Sequence, residues 1–236
     1  MQPVDILVVS AHPDDAELGC GGTIIKHVEQ GARVGLVELT AGEMGSLGDA
    51  ETRLAEAEEA ARIMGVTFRE NLHLPDAFFE VNRENRLRLV EVIRRCRPQV
   101  VITSAPGDRH PDHDKTARLV NEAVFWAGMR RIQTTEDLQS WRPHTVLGYF
   151  HAHFGRPDLL VDIRPYLARK MQAVRTYRSQ VGRTDSARSA TLISDPDFLR
   201  VIEGRAYATG IWGYRYAAEG FMAYKIPVIK NLLCLE

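Results

Sequence analysis

His12-Pro13-Asp14-Asp15 follows the apolar run Asp5 to Ala11, and His110-Pro111-Asp112-His113 follows the run Val100 to Ser104 and its exit loop. Each cluster offers imidazole nitrogen and carboxylate oxygen at the exit of a buried-type strand. Enzymes use that donor mixture to hold a divalent ion with one position left for water. The chemistry it points to is metal-dependent hydrolysis. Two adjacent carboxylates cannot easily both reach one ion from an extended turn, so a ligand set of His12, Asp15 and His113 leaves Asp14 as general base. The water it would activate has its pKa lowered by the ion, to roughly 7 for zinc. His110, one helical turn before His113, is then placed to stabilise an oxyanion or to protonate the leaving group.

Other readings compete. Either tetrapeptide alone could be a turn in which an aspartate, Asp112 in the second, caps the next helix. Two histidines and one carboxylate also suit a non-haem iron oxygenase, although that chemistry has no need of Asp14 beside the open position. Gly19, Gly21 and Gly22 lack the spacing of a dinucleotide fingerprint, and the acidic turn occupies the place of a pyrophosphate. Tight packing of the helix start under the metal loop is the reading preferred for them. A catalytically silent metal- or sugar-binding module remains a reading from another class, against which Asp14 stands.

The elements that must position these residues follow from hydrophobic period and punctuation. Strands are expected at Val4 to Ser10, Arg33 to Thr40, Asn71 to Leu74 and Gln99 to Ser104. Helices are expected at Gly21 to Gln30, Glu51 to Met64 (ended by Gly65), Arg83 to Arg97 (ended before Pro98) and Asp112 to Ala127. Further on the pattern weakens, with strands at Thr145 to Phe154 and Leu159 to Asp162 and helices at Pro165 to Arg178 and Pro196 to Thr209. The alternation predicts an α/β fold: a Rossmann-like, mostly parallel sheet with helices on both faces and a C-terminal extension, forming a single domain over 1–236. In a sheet of order 3-2-1-4-5 the first and fourth strands are neighbours. The two clusters then converge in the crevice outside their carboxyl ends, about a hundred residues apart in sequence.

The 236 residues are 44% hydrophobic, enough for a sizeable core. Thirty basic against thirty-one acidic residues give a formal charge of −1, so no global field favours nucleic acid or a membrane surface, and a small molecule is the expected partner. No signal-peptide pattern or membrane-length apolar run is seen, and three scattered cysteines form neither a disulfide framework nor a metal motif. A cytoplasmic location is expected.

Several segments resemble the LmbE/PIG-L family of metal-dependent sugar N-deacetylases. They are Ala11 to Glu17, Gly21-Gly22-Thr23, Thr40 to Ser46, Arg53 with Glu56, Leu74-Pro75-Asp76 and His110 to His113, with Tyr177 to Gln180 and Glu219-Gly220-Phe221 further on. Asp108 to His113, Leu119 to Phe125, Pro157-Asp158 and Val161 to Ile163 are most similar to the bacillithiol-biosynthesis branch. The resemblance implies removal of acetate from N-acetylglucosaminyl malate, with Zn2+ on His12, Asp15 and His113 and Asp14 as base. His and Asp ligands also accept Fe2+ and other divalent metals. It further implies a homo-oligomer, a hexamer in relatives. One departure is Asp108, where some relatives carry a tyrosine that supports the oxyanion.

A malyl substrate would bring carboxylates, for which an arginine fork is suited. Arg53 and Arg109 are the candidates, the alternative for Arg53 being a helix-face pair with Glu56 or Glu58. Glu43 and Ser46, in the glycine-rich loop, are candidates for lining the same crevice. His151 and His153 share a strand face and are read as ordinary surface or interface histidines rather than a second metal site. Met171, Val174 and Tyr177 are read as core, and Ile226 to Leu235 as a tail that packs back or meets another subunit.

Overall fold

The computed structural model describes residues 2–151, 155–181, 191–229 and 231. In chain order the elements are β1 (Ile6–Ser10), α1 (Asp15–Glu29), β2 (Val34–Glu38), α2 (Ala50–Met64), β3 (Phe68–Asn71), α3 (Arg83–Cys96), β4 (Val100–Ser104), α4 (Pro111–Ala127), β5 (Thr145–Tyr149), β6 (Leu159–Asp162), α5 (Leu167–Val174), α6 (Phe198–Ile211) and β7 (Ala218–Ala223). They build one seven-stranded sheet of order β3-β2-β1-β4-β5-β7-β6. The pairs from β3 to β5 are parallel, while β7 runs antiparallel to both β5 and β6.

Strand β1 is buried on both faces, as a central parallel strand must be. Ile6 and Val8 join the core beneath α1, α2, α5 and α6, whereas Leu7 and Val9 join the core beneath α3 and α4. Helix boundaries follow local chemistry. Asp49 caps α2 by accepting from Thr52 N at 2.7 Å, and left-handed Gly65 ends it. Asn82 caps α3 in the same way, and Pro98 follows the left-handed residue that ends it, the C-cap Arg97.

Helix α1 extends beyond its expected start at Gly21. It begins at Asp15 but breaks at Cys20 (φ −144°, ψ 22°), so it consists of two helical segments. The break frees backbone groups that side chains from the C-terminal half then satisfy. Gly22 N and Thr23 N donate to the Glu219 carboxylate at 3.0 and 2.7 Å. Leu18 O accepts from Lys170 Nζ at 3.0 Å and from Arg205. Gly19 and Gly22 are packing positions, since a Cβ on Gly19 would run into the Tyr149 ring and one on Gly22 would lie 2.8 Å from Ile163.

Several expectations are corrected. The third strand is Phe68–Asn71, because β2 pairs with Phe68 onward, and Asn71 to Leu74 is mostly its exit. Strand β5 stops at Tyr149, and Ala152 to Phe154 lie outside the described residues. The helix expected over Pro165 to Arg178 is a 3₁₀ turn at Arg164–Tyr166 followed by the shorter α5. Strand β7, which carries Glu219, was not anticipated. Met171, Val174 and Tyr177 are core. Ile226 and Val228 are exposed rather than packed back, and residues 232–236 lie outside the described residues. Among the described residues, no helix is long and apolar enough to cross a membrane.

Candidate metal centre and active site

Register places the ends of β1 and β4 side by side, Val8 beside Ile102, so the exits of the two strands share one crevice. The exit of β1 bends at Asp14, whose φ of 102° is rare for a residue with a side chain. Arg53 braces this bend. Its guanidinium donates to Pro13 O at 3.0 Å and Gly42 O at 2.9 Å and lies 3.6 Å from Asp14 Oδ2. Gly42 has φ 69°, and a Cβ there would run into the Arg53 guanidinium. Asp14 stands at the cap position of α1, yet its side chain makes no capping hydrogen bond, so the carboxylate is left facing the cleft. Burial pushes it up to about 7, against the pull of Arg53.

His12, Asp15 and His113 meet with donor atoms within 4.8 Å of one another, and all three are buried. His12 Nδ1 lies 3.4 Å from Asp15 Oδ2, and His113 Nε2 lies 3.1 Å from Asp15 Oδ1. The far nitrogen of each ring faces a different carboxylate. His12 Nε2 is 3.0 Å from Asp76 Oδ1 and 3.6 Å from Asp112 Oδ2, while His113 Nδ1 is 3.2 Å from Asp108 Oδ1. Metal-binding imidazoles are oriented by such carboxylates, so this donor set fits a divalent ion. Against the desolvation that opposes it, Asp112, Asp15 and Asp76 hold His12 above its usual range. Asp15 is held well below its own range by His113, His12 and His151 despite burial.

Two overlapping donor groups lie close by: His12 with His110 and Asp112, and Asp108 with His113 and His151. His151, expected to be an ordinary histidine, belongs to the cluster, with Nε2 3.3 Å from Asp15 Oδ1 and its ring 4.6 Å from that of His113. His153 lies outside the described residues. Asp76 was visible in the sequence only as part of a motif. Its role as a histidine partner needed the approach of the β3 exit, where Met44 N donates to its other oxygen at 2.9 Å.

His110, not Asp112, caps α4: its Nδ1 accepts from Asp112 N at 3.3 Å. The neutral ring therefore carries its proton on Nε2. Burial, then the neighbouring His12 and His113, lower its pKa, as expected of an imidazole at a helix start.

The cleft has a volume of about 470 Å³ and is lined by Asp14, Arg53, Arg109, His110, Ser46 and Met44 among others. Arg109 and Ser46 are exposed on it. Arg53 reaches the cleft but is engaged by backbone carbonyls rather than by Glu56, which instead binds Ser179 N and Oγ at 2.8 and 2.7 Å. Glu43 accepts from Asp76 N at 2.8 Å and is not among the lining residues. The later motifs act as struts. Tyr177 donates to Glu17 at 3.0 Å and Lys170 to Leu18 O at 3.0 Å, both tying the C-terminal half to α1, while Lys170 also donates to Glu219 at 2.6 Å.

A family profile described as PIG-L: GlcNAc-PI de-N-acetylase matches residues 7–124. The diacetylchitobiose deacetylase of Thermococcus kodakarensis is 35% identical over 188 residues, spanning 74% of this chain and 69% of that protein. The probable N-acetyl-alpha-D-glucosaminyl L-malate deacetylase 2 of Bacillus anthracis is 28% identical over 190 residues, spanning 74% and 80%. The solved structure of the conserved protein TT1542 from Thermus thermophilus superposes with a TM-score of 0.87 at 35% identity, covering 97% of this chain and 98% of that one. The malate deacetylase is thus less similar than the diacetylchitobiose enzyme, and the overall identities do not single out the bacillithiol branch. By profile match, identity and shared architecture, this chain belongs to the LmbE/PIG-L family of metal-dependent N-deacetylases that act on N-acetylglucosamine conjugates.

Proposed function

We propose that this protein hydrolyses the acetamide of an N-acetylglucosamine conjugate, with a divalent ion, zinc in the first instance, held by His12, Asp15 and His113. The observation that carries this reading is the Asp14 carboxylate, buried, braced by Arg53 and not engaged as a cap, beside a triad whose two imidazoles are each backed by a carboxylate. When bound, the ion supplies Lewis acidity that polarises the acetamide carbonyl and eases deprotonation of water.

Asp14 takes the proton of the attacking water as its oxygen bonds to the acetamide carbon. The same carboxyl returns that proton to the departing nitrogen as the C–N bond breaks, leaving acetate and a free amine. His110 presents Nε2–H to the carbonyl oxygen as negative charge gathers there. A neutral ring with Nδ1 occupied by a backbone N–H is a hydrogen-bond donor rather than a source of a whole proton. Of the two roles expected for His110, this supports oxyanion stabilisation. Asp108 holds His113 where a tyrosine stands in some relatives. Arg53 is read as a positioning residue for Asp14.

Arg109, exposed on the cleft rim, favours an anionic aglycone such as malate. Diacetylchitobiose is the second reading, favoured by the more similar relative. The test is acetate release from N-acetylglucosaminyl malate, diacetylchitobiose and free N-acetylglucosamine, before chelation, after it and after zinc return. Chelator-sensitive release led by the malate conjugate is expected. A preference for diacetylchitobiose would replace the aglycone, and release from none of the three would overturn the proposed reaction.

A further inference from the structure

A second cavity, of about 110 Å³, lies against α1 at Gly19. Lys170, Arg205 and Glu219 line it together with Arg156, Thr209 and Trp212. Its charge is unbalanced. The Glu219 carboxylate is engaged by Gly22 N, Thr23 N and Lys170 Nζ, so it neutralises Lys170 and completes the broken helix. Among the described residues no carboxylate pairs with Arg205 or Arg156. Two guanidinium cations therefore face a cavity with a single carboxylate among its described lining residues, Glu219, whose charge acts on Arg205 as well as on Lys170. Arg205 is half-buried, and among the described residues its hydrogen bonds go to the carbonyls of His151 and Leu18. A guanidinium carries five N–H donors, so these leave donors for a ligand.

Lys170, Arg205 and Arg156 against Glu219 leave the described lining with an excess of positive charge, which an anion at the same place relieves. The remaining walls, from Phe150, Pro157, Ala206 and Ala218 with the Trp212 ring at the rim, are apolar. They suit the body of a small organic acid better than the fully hydrated oxygens of phosphate. The volume corresponds to a few water molecules, each of which occupies about 30 Å³ in the liquid, and so admits a ligand of a few heavy atoms. We propose that this cavity is a binding site for a small organic carboxylate, held by Arg156 and Arg205. Its occupant is linked to the catalytic side through Arg205, which grips the backbone of His151 and of the helix that carries Asp15. The proposal does not depend on which aglycone the metal cleft accepts.

The test uses full-length protein stripped of metal and titrated with acetate, malonate and inorganic phosphate, read by tryptophan fluorescence and calorimetry. Saturable binding of acetate or malonate is expected. It should weaken about tenfold or more in Arg156→Gln, an exposed position that should fold normally, and remain unchanged in Arg118→Gln, an exposed position on α4 that lines neither cavity. Three results would overturn the proposal: no saturable binding at millimolar carboxylate, equal affinity in Arg156→Gln, or loss of binding in Arg118→Gln. Binding of phosphate alone would overturn the ligand class.

Discussion

At the scale of single residues, the proposed mechanism separates holding an ion from moving a proton, so each task should be removable alone. Asp14 is not in the buried triad, so Asp14→Asn should keep metal while turnover falls by about 10²–10⁴-fold. Metal content and acetate release measured on the same sample check this, and full activity in the variant would remove Asp14 as the base. Asp108 faces the far nitrogen of His113 at 3.2 Å. Asp108→Asn should therefore weaken metal binding about 10- to 100-fold in a chelator competition. An unchanged affinity would mean that Asp108 does not orient the ring. Both aspartates could be named from sequence as candidates or as departures, but Asp108 acquires its role only from the fold of its loop back onto His113.

At the scale of elements, α1 is the piece on which the site hangs, and its break at Cys20 is stabilised from the far end of the chain. Glu219→Gln leaves Lys170 buried without its counter-charge, a loss of about 3–5 kcal/mol in similar buried pairs. Urea unfolding should show it, and a variant as stable as the parent would mean that the cap contributes nothing. Strand β2 supplies a pH dependence. Burial pushes Glu38 up to about 7 from its ordinary 4.5, against the pull of Arg69. The folded state then keeps a proton that the unfolded chain releases at lower pH. This contribution is whole below about pH 4.5 and is lost as pH rises through about 7. Comparing unfolding free energies at about pH 5 and about pH 8, Glu38→Gln should lose less stability on the rise than the parent does. Equal losses would show that Glu38 ionises normally. Elements with strong punctuation, such as α2 between Asp49 and Gly65, were legible in the sequence. The start of α1 was not, because a glycine-rich stretch with a break inside it has low local preference for helix.

At the scale of the whole molecule, the parallel sheet brings the two clusters together, and the proposed choice of aglycone belongs to the rim of the cleft. Of the two arginines expected at the substrate, Arg53 is tied to the backbone and Arg109 stands exposed. Arg109→Ala should raise KM for the malate conjugate about 10- to 100-fold while leaving that for free N-acetylglucosamine nearly unchanged. Equal effects on both substrates would end the carboxylate role.

The sequence by itself determined the order of strands and helices in the first half and the family. Both depend on local signals: apolar runs of strand length, proline and glycine stops, and clusters of His and Asp a few residues apart. Only the tertiary structure decided which carboxylate backs which imidazole, that His151 joins the cluster, that His110 rather than Asp112 caps α4, and that Glu219 completes a helix nearly two hundred residues earlier. These are contacts between segments distant in sequence, made through side chains whose direction depends on backbone breaks at Asp14 and Cys20. No periodicity or spacing along the chain encodes such contacts, because they exist only once the sheet has set strand ends and helices against one another.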